Sequence, residues 1–296
     1  MDIRIHIGVH RTGTQHLRKM LALNSDLLAA NGVCVPEPEF SEKAFARAVR
    51  QLKAGEDVEQ INADLLSTLT QDKEYRRIVM VDPNVSGTLM RPIGKEFFYP
   101  RIGTTINRIV TALEGLPTRL FVCIRNPATF IPSCYSTGIK AKPEVSFDHF
   151  VSEANLPGLR WSDFLHRAQM KKADLPMTVW RFEDYPFIWR DVVQALTGIE
   201  NREELVGSTA PVNAGLSLRG AILMHRYLQE NNVATRAEFE RVRAAFDQKF
   251  PSHLGHNHDL HWPEELTEGM SENYEDDWYY IERMENVETI TAPQVP

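Results

Sequence analysis

The chain has 296 residues and a formal net charge of −7, with 43% hydrophobic and 25% charged residues. That is ordinary globular composition at a length that buries a sizeable core, which excludes fibrous, disordered and disulfide-scaffold classes. Ten acids and one base lie between positions 264 and 288, an excess that argues against a nucleic-acid partner and leaves the remainder slightly positive, suited to an anion site.

Ile3, Ile5, Ile7 and Val9 alternate with Arg4, His6 and Gly8, the period-two pattern of a strand. A polar turn, Gly8–Gln15, follows. Leu17, Met20, Leu21, Leu27 and Leu28 then recur at helical spacing up to Asn31-Gly32. Val33–Val35 before Pro36 reads as a second strand, so the first 36 residues form a βαβ unit. Residues 41–76 predict two helices. Ile78–Val81, Leu120–Ile124 and Met177–Arg181 are continuous apolar runs that read as buried strands, with a helix over 102–115 before the second of them. Asn126 and Pro127 open a helix as cap and first residue, and Pro132 predicts a kink within it. Further helices are expected at 161–173, 184–197, 216–231 and 235–249, and the acidic segment from Pro263 to Glu288 is expected to be helical.

Strands alternating with helices predict an α/β fold, a mainly parallel sheet with helices on both faces. One domain spanning 1–296 is expected, with 41–76 as a helical insertion and 211–288 as a helical C-terminal part. Cys34, Cys123 and Cys134 lack paired spacing, so neither a disulfide framework nor a zinc knuckle is expected. No leader segment is expected, no run comes near the roughly 18 apolar residues of a membrane span, and the expected setting is reduced and cytoplasmic. His6, on a strand, reads as a core histidine, and the five tryptophans read as packing residues. His253, His256, His258 and His261, with Asp259, match no zinc spacing and read as a polar surface loop.

Chemistry concentrates in Gly8-Val9-His10-Arg11-Thr12-Gly13-Thr14-Gln15. A glycine-rich turn from strand to helix presents backbone N–H groups and a helix N-terminus to an anion. Gly8-x4-Gly13 has the spacing of a nucleotide phosphate loop, but Thr14 stands where a nucleotide triphosphatase carries lysine, and the cation is displaced to Arg11. A second cluster starts at Arg125, which ends a buried strand, and reaches Ser133 eight residues on.

Together these motifs resemble the sulfotransferases that use 3′-phosphoadenosine 5′-phosphosulfate (PAPS). Ile5-His6-Ile7-Gly8-Val9-His10-Arg11-Thr12-Gly13-Thr14-Gln15 is similar to their first loop, with Arg11 in place of lysine and Gln15 in place of a second threonine. Arg125-Asn126-Pro127 through Ser133 resembles their 3′-phosphate motif. Val179–Tyr185, Asn213–Ser217 and Glu272–Ile281 are weaker likenesses. The resemblance implies a P-loop-type sheet, PAPS as sulfuryl donor, adenosine 3′,5′-bisphosphate (PAP) as product, and no metal ion. It implies that Arg11, Thr12, Gly13, Thr14 and Gln15 hold the 5′ group and that Arg125 and Ser133 hold the 3′-phosphate. His16 falls where some members stack an aromatic ring on adenine. Arg11 would stabilise the leaving phosphate. Asp82, at the end of the third strand, and His10 are the two candidates for the base that takes the acceptor's proton. The resemblance implies an acceptor hydroxyl, with an amine as the lesser alternative, and the residues leave a glycan, a lipid, a peptide and a small alcohol open as the compound that bears it. Two alternatives stand beside this reading: a P-loop small-molecule kinase, and a sulfotransferase-like protein that binds PAP or a glycan without catalysis.

Overall fold

The computed structural model describes residues 1–209, 216–231, 233, 235–251 and 262–293. Its centre is a six-stranded sheet, all parallel, in the order β2-β3-β1-β4-β5-β6. The strands are β1 (Asp2–His6), β2 (Val33–Cys34), β3 (Arg77–Val81), β4 (Thr118–Ile124), β5 (Met177–Arg181) and β6 (Val287–Ile290). The helices are α1 (Thr14–Leu23), α2 (Ser25–Ala30), α3 (Pro38–Ala54), α4 (Val58–Thr70), α5 (Ile102–Ala112), α6 (Pro127–Gly138), α7 (Phe147–Val151), α8 (Trp161–Gln169), α9 (Tyr185–Thr197), α10 (Leu218–Glu230), α11 (Arg236–Lys249) and α12 (Glu264–Ile281).

Helices cover both faces, which is why β3, β4 and β5 read as unbroken apolar runs. Ile3, Ile5 and Ile7 face one layer with Met80, Leu120 and Val122, packed by Ile106 of α5, Phe130 of α6, Phe164 of α8 and Trp278 of α12. Val79, Phe121, Cys123 and Trp180 face the other, packed by Leu17 and Met20 of α1 and by Ile188 and Val192 of α9. The polar side of β1, with Arg4 and His6, lies in that second layer. Arg76 and Arg77 donate to the carbonyls of Leu196, Thr197 and Gly198, closing the C-terminal end of α9.

Three expectations are corrected. The helix read through residue 30 breaks at Asn24. Its side-chain amide donates to Met20 O and Val206 O, and its oxygen accepts from Val206 N. These contacts are mostly long-range and override local periodicity. The acidic segment is helical only to Ile281. The chain then turns, and Val287–Ile290 adds an edge strand to β5, with Glu288 paired to Arg119 of β4. The first helix starts inside the polar turn, at Thr14. Asn126 does cap α6, its side chain accepting from Ala128 N at 2.9 Å, and Pro132 lies within that helix. The His253–His261 stretch and Asn213–Gly215 fall outside the described residues.

The order of the strands locates the crevice. From β1 the chain runs out to β2 and returns at β3. It then crosses β1 to reach β4, from which β5 and β6 extend the sheet the other way. Connections therefore diverge beyond the carboxyl ends of β1 and β4, the switch point at which open α/β sheets bind ligands.

Candidate functional site

The loop leaving β1 forms one wall of that crevice. Val9 N donates to Cys123 O and Cys123 N donates to Gly8 O, lacing the loop to β4 at 3.1 and 2.8 Å. Gly13 has φ 83°, and a Cβ there would sit 3.1 Å from the Tyr185 ring, so this turn requires glycine. The Thr12 hydroxyl donates to Val9 O at 2.7 Å and is spent inside the loop. The backbone N–H groups of Arg11 through His16 find no acceptor among the described residues, and α1 has no side-chain cap. The Thr14 hydroxyl is also without a partner, although the residue is only 6% exposed. A buried hydroxyl without a partner is rare. Here it lies with the open N–H groups on one turn at a helix N-terminus, an arrangement that accepts an anion.

The facing wall comes from β4 and α6. Arg125 lies over the Phe182 ring, 4.7 Å from its centroid. Its Nε donates to the Thr129 hydroxyl at 2.9 Å and its Nη1 to Arg11 O at 3.0 Å. Arg11 takes a left-handed conformation, φ 61°, and its Nε donates to Ser133 Oγ at 2.9 Å. Nη1 and Nη2 of Arg11 and Nη2 of Arg125 have no partner among the described residues. Burial pushes Arg125 down to about 10, helped by the Arg11 charge and opposed by Glu183, and burial lowers Arg11 as well. Cys134, next to Ser133, is pushed up to about 12 by burial despite both guanidinium groups, and so stays a thiol.

Arg125 is braced from behind. Its carbonyl accepts from Trp161 Nε1 at 2.8 Å. Trp161 opens α8, and the carboxylate of Asp277 caps that helix, accepting from the backbone N–H of Trp161 and Ser162 and from the Ser162 hydroxyl. Glu183 accepts from Asn126 N and from the Tyr274 hydroxyl, both at 3.0 Å. Asp277 and Tyr274 both belong to α12.

The remaining predicted residues are placed as follows. Asp82 uses Oδ1 to accept from Asn84 N at 2.9 Å, capping a short 3₁₀ turn over Pro83–Val85, while Oδ2 has no partner among the described residues. His10 is buried with both ring nitrogens engaged. Nε2 lies 3.4 Å from Asn84 Oδ1, which can only accept, so Nε2 carries the proton. Nδ1 then accepts from the Tyr99 hydroxyl at 2.8 Å, and that oxygen in turn accepts from His10 N at 3.3 Å. Burial lowers the His10 pKa, opposed by the Asn84 contact, so the ring is neutral. His16 does not meet the crevice. It is buried behind the loop, its Nε2 donating to Ser208 O at 2.6 Å and its Nδ1 accepting from the Tyr185 hydroxyl at 3.0 Å. The covering segment near Ser208 is remote in sequence, which hides this from local reading. Gln15 is exposed, and its side chain makes no hydrogen bond among the described residues.

The structure therefore brings Arg11, Arg125 and Ser133 together beside the loop that carries Thr14, with Asp82 and His10 toward the end of β3. It also joins Arg11 directly to Ser133, two residues that the sequence reading assigned to different phosphates. Sequence reasoning missed Tyr99, which has no motif around it, gave no role to Tyr274 and Asp277 within the weak likeness at Glu272–Ile281, and took Trp161 for packing alone. Among the described residues no three His, Cys, Asp or Glu side chains gather as a metal site requires, and no helix is long and apolar enough to cross a membrane. No protein-family model, no curated protein and no solved structure matches the chain.

Proposed function

We propose that the chain is a sulfotransferase that moves a sulfuryl group from PAPS to an acceptor hydroxyl and releases PAP, on a sheet of the P-loop type. The observation that carries this reading is the convergence of Arg11, Arg125 and Ser133 beside an amide-lined loop at the switch point of the sheet. The donor set fits a bisphosphate nucleotide. The loop amides and the unpartnered Thr14 hydroxyl suit one phosphate, and the free guanidinium nitrogens with Ser133 suit another. Thr14 in the lysine position of a nucleotide triphosphatase speaks against the kinase alternative.

In the transfer, the bond between sulfur and the bridging phosphate oxygen breaks as the acceptor oxygen bonds to sulfur. The acceptor's proton passes to a base. Fixed N–H groups stabilise the charge that grows on the departing phosphate. Asp82 suits the base better than His10, because its Oδ2 is free whereas both His10 nitrogens are committed.

The test is binding, then turnover. PAP at about a hundred times its dissociation constant adds about 2.7 kcal/mol of stability, a clear rise in melting temperature. PAP should shift the protein well beyond ATP with Mg²⁺, and radiolabelled sulfate should pass from PAPS to a member of a hydroxyl-acceptor panel. A larger response to ATP would favour a kinase. A second reading, PAP binding without transfer, is favoured by the engagement of Arg11 with Ser133 and by the closed His10 network. A PAP shift with no transfer across the panel would select it.

A further inference from the structure

Arg11 occupies the cation position of the loop, yet its side chain does not stay over the loop. With φ 61° the residue turns across the crevice to α6, where Nε donates to Ser133 Oγ. Its carbonyl is held by Arg125 Nη1. The two guanidinium groups are thereby fixed as neighbours, and neither forms an ion pair with a carboxylate among the described residues. Glu183 has its oxygens on Asn126 N and the Tyr274 hydroxyl. Ser133 accepts from Arg11, so its own hydroxyl hydrogen remains free to donate. Three guanidinium nitrogens and one hydroxyl are left, all donors.

We infer that Arg11, Arg125 and Ser133 form a single clamp for one dianionic phosphate, the 3′-phosphate of the nucleotide, and that the 5′ group is held by the loop amides and Thr14 without Arg11. This rests on the bisphosphate-nucleotide reading above and changes the work assigned to Arg11 within it. Arg11 becomes a specificity residue for the 3′-phosphate. The fork of arginine suits this, because Nε holds Ser133 while the two Nη groups are left for the phosphate. A lysine ammonium donates three hydrogen bonds from a single nitrogen, so it keeps the charge and part of the clamp but not its span.

The experiment measures dissociation constants of PAP, adenosine 3′-phosphate and adenosine 5′-phosphate for the wild type and for Arg11→Ala, Arg11→Gln and Arg11→Lys. Melting without ligand serves as the folding control, and Gln keeps a side chain of similar reach in case Ala disturbs the loop. Arg11→Ala and Arg11→Gln should each lose about ten- to a hundredfold in affinity for PAP and for the 3′-phosphate. Affinity for the 5′-phosphate should stay within about twofold of the wild type. Arg11→Lys should fall between these variants and the wild type. The inference is overturned, with the nucleotide reading intact, if the wild type prefers PAP to the 5′-phosphate and the variants keep that preference or lose 5′-phosphate affinity. A wild type that binds no PAP removes the nucleotide reading itself and the clamp with it.

Discussion

Thr14→Val should move stability and ligand affinity in opposite directions. The Thr14 hydroxyl is buried at the first position of α1 and has no partner among the described residues. Burying an unsatisfied hydroxyl costs about 1–3 kcal/mol, and valine removes it with the same branched shape. The ligand-free protein should therefore gain about 1 kcal/mol, a rise of about 2 °C in melting temperature for a chain of this size. Ligand binding should suffer. If the hydroxyl donates to a charged phosphate, its loss costs about 1.5–3 kcal/mol, a weakening of PAP by about 10- to 150-fold. Scanning calorimetry without ligand gives the first quantity and isothermal titration with PAP the second. A Thr14→Val protein that melts lower than wild type and binds PAP equally well would refute the assignment of Thr14 to the anion loop.

Three further outcomes are expected. His6 is 1% exposed, stacks on Trp180, and is pushed down to about 3 by burial and by Arg18. The unfolded chain therefore binds the proton first as pH falls below about 6.5, and the stability present above that value is lost on the way toward pH 3. The loss is about 2 kcal/mol between pH 7.5 and pH 5. Urea midpoints at the two pH values should show it, and His6→Gln should flatten the difference. Tyr99→Phe removes the hydroxyl that holds both His10 N and His10 Nδ1. It should lower stability by about 1–3 kcal/mol in denaturant unfolding and weaken PAP in titration, whereas unchanged PAP affinity would separate Tyr99 from loop geometry. Asp277→Ala strips the cap from α8 and leaves two backbone donors unpaired. A loss of about 2–4 kcal/mol is expected, with Asp277→Asn intermediate, and a thermal melt at neutral pH decides it.

How much of this was legible in the sequence differs by element. The strands β3, β4 and β5 announce themselves because both faces of a parallel sheet are covered, so their apolar runs are dense, and β1 announces itself by the alternation of Ile3 and Ile5 with Arg4 and His6. Val287–Ile290 carries Glu288 and Thr289, pairs on one side only, and follows an acid-rich helix. Its strand character comes from β5 and from Arg119 rather than from its own composition. At the site, Arg11, Thr14, Arg125 and Ser133 could be named from spacing around glycine and from the ends of strands. That Arg11 turns toward α6 depends on a left-handed backbone at a non-glycine position, which the residue type disfavours and the surrounding loop imposes. His16 likewise lies at helical spacing that would suit a surface. The segment that buries it comes from nearly two hundred positions further along the chain.

The brace behind Arg125 has a consequence for the order in which the molecule is made. The anion loop is complete as a sequence within the first sixteen residues, and Arg125 follows before the midpoint of the chain. Asp277 and Tyr274, which hold Trp161 and Glu183 in place behind Arg125, come from α12. During synthesis the sheet can pair β1 through β5 while the wall carrying Arg125 still lacks its support. Contacts between positions so far apart form late in folding, because closing long loops precedes their reward. A nascent chain halted before α12 should therefore hold most of a core and little grip on phosphate. Ligand affinity in a series of lengthening chains should rise abruptly, once α12 has docked, rather than in proportion to length.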